Sequence, residues 1–168
     1  MLERTHPLAA MAAASPDCPA VRLIALPPAT RWLIRGDVAS IASIGIALPE
    51  CCRATVNGDC ALLWLGPDEL LLLASDEITP PTDAVDVSHR NTALSVSGPR
   101  AATAINAFCA LDLHPSAFPV SMCTRTLFGK AEIVLWRTGP DMFRIEVARS
   151  FAPYVWACLE EARREFLG

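Results

Sequence analysis

The 168-residue sequence contains no run of eighteen apolar residues, so no segment is long enough to cross a bilayer as a helix. Its seven cysteines (Cys18, Cys51, Cys52, Cys60, Cys109, Cys123 and Cys158) form no C-x-x-C pair. An odd count without that spacing fits neither a disulfide framework nor a zinc site, and it reads as reduced, mostly buried cytosolic thiols. Three histidines, His6, His89 and His114, are scattered along the chain and point to no metal centre. There is no Lys/Arg cluster, and a net charge of −4 leaves no basic face for nucleic acid. Neither G-x-G-x-x-G nor a Walker A loop occurs, which removes the usual nucleotide cradles.

Charge itself is scarce. Charged residues make up 19% of the chain and hydrophobic ones 52%, where soluble domains average about 25% charged. A domain this poor in charge has apolar surface to hide, which favours a permanent subunit interface. The lead MLERTHPLAAMAAASPDCP has only a short apolar stretch, and Glu3 cancels Arg4, so it lacks the positive n-region of a secretory signal. Residues 1–19 are expected to be a disordered, Ala-rich lead on a cytoplasmic protein.

What the sequence does contain is a repeat. LLWLGPDELLLLA (62–74) and VLWRTGPDMFRIEVA (134–148) each run from an apolar strand through a tryptophan, Trp64 or Trp136, into Gly-Pro-Asp and a second apolar run. Glycine, proline and aspartate form turns for separate reasons, so each segment reads as a β-hairpin. Upstream of each lies a strand–glycine–helix pattern, RWLIRGDVASIASIGIAL (31–48) and ALSVSGPRAATAINAFCAL (93–111). Asp37 is placed to cap the first helix and Pro99 to open the second. Val38, Ile41 and Ala42, then Ala102, Ile105, Phe108 and Cys109, give each helix an apolar stripe.

Two β-α-β-β units therefore precede a terminal helix over 150–167. Ser150 is expected to cap it, and Phe151, Val155, Cys158, Leu159, Ala162 and Phe166 to form its apolar side. Runs such as ELLLLA and AEIVLWR are too uniformly apolar for one-sided strands and predict sheets covered on both faces. The expected architecture is α+β: two ferredoxin-like halves, about 20–80 and 84–149, within one domain spanning 20–168.

The stretch DVSHRNTALSVSGPRA (86–101) is the most reactive-looking part of the chain. Consecutive residues on a strand alternate faces, so Ser88 and His89 do not make a nucleophile–base pair, and no G-x-S-x-G elbow surrounds Ser88. SGPRA reads as turn and helix-start chemistry rather than a phosphate loop. No catalytic, cofactor-binding or metal-binding residue is assigned.

DVSHRNTALSVSGPRA, LDLHPSAFPVSMCTRTLFGKAEIVLWR and RIEVARSFAPYVWACLEEA together resemble the gamma subunits of heterotetrameric sarcosine oxidases. The DVS…SGPRA portion is also similar to the aminomethyltransferase (T-protein) family, built from related βαββ-type units around folate. The resemblance implies an aminomethyltransferase-like folate-binding-domain fold. It further implies a non-catalytic place in a complex of alpha, beta, gamma and delta subunits. That complex oxidatively demethylates sarcosine to glycine and passes the one-carbon unit to tetrahydrofolate. FAD, FMN, NAD and the folate site belong to the larger subunits, and gamma binds no cofactor.

In aminomethyltransferases a paired-aspartate strand carries the working acid, and Ala131 and Glu132 stand in the matching place here. Glu132 is thus the alternative folate-site acid of a stand-alone folate-binding protein. His89, Arg90 and Arg125 are candidate subunit-interface anchors, since an arginine fork makes several directed hydrogen bonds. The alternative for the arginines is a local pair with Asp86 or Glu132. Expressed alone, the chain is expected to associate or aggregate rather than run as a monodisperse monomer, which size exclusion with light scattering checks directly.

Overall fold

The structure, a computed structural model, describes residues 6–35, 41, 45–74, 79–81 and 83–167. In chain order the elements are α1 (Ala9–Ala14), β1 (Arg22–Ala25), β2 (Thr30–Arg35), β3 (Ala54–Asn57), β4 (Cys60–Gly66), β5 (Glu69–Ala74), β6 (Val85–Asp86) and β7 (Asn91–Ser97). They continue with α2 (Ala101–Asn106), β8 (Cys123–Phe128), β9 (Ala131–Gly139), β10 (Met142–Ala148) and α3 (Ala152–Ala162), closed by a 3₁₀ turn over Arg164–Phe166. The strands form two antiparallel sheets, ordered β3-β4-β5-β2-β6 and β1-β7-β10-β9-β8. No helix of the described residues is long and apolar enough to cross a membrane.

Without the outermost strands β6 and β1 the two orders match, β3-β4-β5-β2 and β8-β9-β10-β7. The hairpin repeat is therefore a repeat of fold. Each half has one strand more than the β-α-β-β pattern read from sequence. The additional strands, β3 (ATVN) and β8 (CTRTLF), are sheet edges with mixed side chains instead of an apolar run, so periodicity does not mark them. Leader strands are exchanged between the halves. β1 precedes the first half but pairs with β7 of the second, from Arg22 opposite Ser97 to Ala25 opposite Leu94. β6 precedes the second half but pairs with β2 of the first, Trp32 opposite Asp86.

Uniformly apolar strands have the expected cover on both faces, and β5 is buried along its whole length. On the face turned away from the second sheet, Leu70 and Leu72 join Ile34 and Leu62 beneath Ile41 and Ile46. On the other face Leu63, Leu71 and Leu73 meet Val134, Trp136 and Cys123 of the second sheet. The far side of that sheet, with Leu94, Val96, Ile133, Leu135 and Ile145, packs under α2 and α3. Trp64 and Trp136 match in the repeat but lie on opposite sides of their sheets, one in the outer cluster and one between the sheets. The segment Trp-Arg-Thr-Gly is one residue longer than Trp-Leu-Gly, and a one-residue slip turns a strand side chain to the other face.

Several local expectations are corrected. Over residues 6–19 the disordered lead is instead a folded strap: α1 forms and Leu8 is fully buried. The buried Arg163 guanidinium fastens it, donating to Val21 O at 3.1 Å, Pro16 O at 2.9 Å and Ser15 Oγ at 2.6 Å. These tertiary hydrogen bonds override what Ala-rich composition suggested. Ser150 does not cap α3; Phe151 is the N-cap residue, without a side-chain cap, and Pro153 stands in the first turn. The buried stripe is Ala152, Val155, Trp156 and Leu159, at regular helical spacing. Phe151 turns outward and is 44% exposed. Pro99 precedes the N-cap Arg100 of α2 rather than opening the helix. Asp37, Val38 and Ala42 of the first half's expected helix lie outside the described residues.

A fully buried ion pair crosses between the sheets. Arg31 of β2 donates through Nε to Glu146 Oε2 of β10 at 2.6 Å, and both side chains are 1% exposed. Arg31 Nη1 also reaches Ala29 O at 2.8 Å, while Arg144 donates to Glu146 Oε1 at 2.7 and 2.9 Å. Removing one member leaves the other charge buried without compensation, whereas replacing the pair together does not. Glu146→Ala is expected to cost about 3–5 kcal/mol. The double variant Arg31→Met/Glu146→Leu is expected to recover most of that loss in urea unfolding.

Candidate functional site

The inner faces of the sheets touch through Leu63, Leu71, Val134 and Trp136, then separate where inner-face positions become charged. The gap is a cleft of about 400 Å³. Leu33, Arg35, Leu65, Glu69 and Leu71 line one wall, and Arg125, Glu132, Val134, Glu146 and Ala148 the other. Val87, Arg90, Asn91 and Phe151 close one end. The size lies within the range of small-ligand and side-chain pockets.

Three of the four candidate side chains meet in this cleft: Arg90, Arg125 and Glu132. His89 does not; it lines a smaller hollow beside Arg31, Ser88 and Thr92. Ser88, His89 and Arg90 lie in the turn between β6 and β7, not on a strand. Ser88 Oγ accepts the Arg31 N–H at 2.8 Å, so the serine ties this turn to β2. SGPRA is likewise a packing device. Gly98 has φ of +120°, and a Cβ there would lie 2.5 Å from Ala20 O, so the close approach of these two segments requires glycine. The Arg100 N–H then donates to that same Ala20 O at 3.0 Å.

Arg125 has one of the local partners considered for it, Glu132, and another, Glu69, that the sequence did not suggest. Its Nε lies 3.8 Å from Glu132 Oε1, and its Nη2 donates to Glu69. Arg35 Nη2 reaches the other Glu69 oxygen at 2.8 Å. Glu132 is 65% exposed at the mouth of the cleft, while Ala131 is fully buried under the helices on the opposite face. Arg90 is exposed, and no side chain among the described residues pairs with it. Arg35, Glu69 and Glu146 escaped the sequence reading. Their signal was an isolated charge inside an apolar strand, as in RWLIR, ELLLLA and RIEVA.

Burial pushes the Cys123 thiol up to about 12, and it donates to Arg53 O at 3.2 Å and Trp64 O at 3.5 Å. Burial also raises Cys52, helped by its neighbour Cys51. All seven cysteines are free. Among the described residues no group of three or more His, Cys, Asp or Glu side chains is placed to hold a metal ion.

Burial of Glu69 opposes its ionisation, but the hydrogen bonds and charges of Arg125 and Arg35 outweigh that and hold its carboxyl below the ordinary value of 4.5. A lowered folded-state value means stabilisation that is complete above the unfolded-state value and is lost as pH falls through the folded one. Glu69→Gln is therefore expected to lower stability at pH 7. It should also flatten the dependence of urea stability on pH between about 5 and 3.

Comparison with known proteins gives a consistent picture. The family model for the sarcosine oxidase gamma subunit family matches residues 80–165. Sarcosine oxidase subunit gamma of Corynebacterium sp. (strain U-96) is 34% identical over 145 residues, covering 78% of this chain and 70% of its own length. The counterpart from strain P-1 is 33% identical over 146 residues, covering 78% and 71%. The solved structure of heterotetrameric sarcosine oxidase from Corynebacterium sp. U-96, in complex with pyrrole 2-carboxylate, contains a chain matching at TM-score 0.86 and 29% identity. That match covers 98% of this chain and 97% of that one. The glycine cleavage system aminomethyltransferase T from Bartonella henselae matches at TM-score 0.60 and 14% identity, covering 83% of this chain and 45% of that chain. At that identity the likeness speaks for fold alone. From the family model and from these relatives, the chain belongs to the sarcosine oxidase gamma subunit family.

Proposed function

We propose that this chain is a non-catalytic structural subunit of a cytoplasmic heterotetrameric sarcosine oxidase. Its partners are the alpha, beta and delta subunits. The complex oxidatively demethylates sarcosine to glycine and passes the one-carbon unit to tetrahydrofolate. FAD, FMN and NAD are held by the larger subunits, and this chain contributes no cofactor site. The observation that carries the reading is the end-to-end match to a chain of the Corynebacterium heterotetrameric enzyme, 98% of this chain against 97% of that one.

The geometry supports a supporting rather than a catalytic role. Ser88 and Gly98 are explained by packing. Arg90 remains an exposed cation on the cleft rim, as an interface anchor should. Arg125 is held by Glu69 and lies beside Glu132, its side chain 38% exposed, and His89 stands exposed next to Arg90.

The stand-alone folate enzyme depends on Glu132. That carboxylate is 65% exposed and beside the Arg125 guanidinium, and the neighbouring position of the paired acids is the buried Ala131. A lone exposed carboxylate offers no desolvated environment for acid–base work. Co-expression with the neighbouring sarcosine oxidase subunits is expected to give a stoichiometric complex by size exclusion. Glu132→Ala is expected to leave coupled sarcosine and tetrahydrofolate turnover within about twofold, where removal of a catalytic acid costs roughly 10²-fold or more. Normal assembly with abolished methylene-tetrahydrofolate formation would instead establish the folate-enzyme reading.

A further inference from the structure

The cleft gathers charged side chains in a chain that has few of them. Five guanidinium groups, Arg31, Arg35, Arg90, Arg125 and Arg144, stand in its walls or directly behind them, against three carboxylates, Glu69, Glu132 and Glu146. The chain as a whole carries −4. Four of the five cations are engaged: Arg31 and Arg144 hold Glu146, and Arg35 and Arg125 hold Glu69. Arg90 is the one without a carboxylate among the described residues. It shares the lining of the cleft with Val87, Leu65, Asn91 and Phe151, the last 44% exposed. An exposed guanidinium and an exposed aromatic ring on the lining of one cleft are the residue types that dominate interface anchors.

The surface does not stop at the cleft. Across Arg125 and Glu132, which line both, it continues into a shallow hollow floored by Ala110, Leu111 and Leu127. Leu127 is 61% exposed on the edge strand β8. A small ligand seated in the cleft reaches Phe151 but leaves Leu127 uncovered. A protein segment passing over both removes this apolar area from water while presenting a carboxylate to Arg90.

We propose that the inter-sheet cleft docks a neighbouring subunit through an Asp or Glu side chain on Arg90, flanked by an apolar residue against Phe151, with the contact running on over Leu127. This rests on the chain being a subunit of the proposed complex, and it adds which surface is used and the chemistry of what is bound. Arg125 and Glu69 act as positioning residues. Their ion pair keeps the wall in place and leaves Arg90 without a carboxylate among the described residues.

The test uses the full chain co-expressed with the larger sarcosine oxidase subunits, with affinity measured by surface capture at two salt concentrations. Arg90→Glu is expected to weaken association roughly 30-fold or more at low salt, with a smaller loss at high salt because the repulsion is screened. Arg90→Lys keeps the charge but not the fork and is expected to lie between wild type and Arg90→Glu. Arg22→Glu, an exposed charge reversal on β1 outside the cleft, is expected to be silent. A photo-cross-linking residue in place of Phe151 is expected to capture a partner peptide containing an Asp or Glu.

If wild type fails to join the larger subunits at all, the subunit reading itself falls. If wild type assembles and Arg90→Glu assembles equally well, or the Phe151 cross-link finds no partner, the docking proposal is overturned and the subunit reading stands. Saturable binding of benzoate to the isolated chain, lost in Arg90→Glu while assembly is unchanged, would mark the cleft as a small-carboxylate site and overturn the proposal in the same way.

Discussion

The ion pair between Arg31 and Glu146 is the constraint around which the two halves are arranged. Each residue sits on a strand of a different sheet, each is buried, and neither has water to fall back on. Full ionisation of such a pair is tolerable only if its remaining hydrogen-bonding capacity is also met. Ala29 O and Arg144 meet it, and the Ser88 turn pins the backbone of Arg31 from the other side. The sheets are thereby held at a defined separation. On one side of the pair Leu63, Leu71, Val134 and Trp136 close the gap, and on the other it widens into the cleft. The cleft is a consequence of that separation rather than an isolated hollow.

Exchange of leader strands works in the same direction. β1 completes the sheet of the second half and β6 that of the first. Each half therefore has an edge hydrogen-bonded by a strand that belongs, in sequence, to the other. The buried guanidinium of Arg163 performs a similar service at the chain ends, binding carbonyls of the N-terminal strap to the last turn of α3. Arg137 does so for the loop before β8, donating to Leu113 O and Phe118 O. In a chain with few charges, buried arginines serve to satisfy main-chain carbonyls at junctions that no regular element reaches. This use of scarce charge separates the internal cations from Arg90, which has no such work.

Much of the fold is legible in the sequence because it is written in local signals. The Gly-Pro-Asp hairpins, the wholly apolar ELLLLA and the amphipathic terminal helix each announce themselves by turn chemistry or period. The edge strands β3 and β8 do not, because an edge strand needs no continuous apolar face. The strap over residues 6–19 is not legible for a related reason: its order comes from Arg163, 148 positions from Ser15 in sequence, and composition carries no trace of that. Of the cleft, Arg90, Arg125 and Glu132 were visible as candidates, whereas Arg35, Glu69 and Glu146 were hidden inside strands that read as core.

By itself, then, the sequence determined the α+β class, the duplication, the two-sided burial of the central strands and, through its motifs, the family. These rest on short-range turn geometry and side-chain period, which act within a few residues. Only the tertiary structure decided which tryptophan faces the sheet interface, since one added residue before the turn reverses the face. It also decided which of the cleft arginines has no carboxylate among the described residues. Arg31, Arg35, Arg90, Arg125 and Arg144 are chemically alike in the sequence, and only packing across the sheets gives four of them carboxylates and leaves the fifth at the rim.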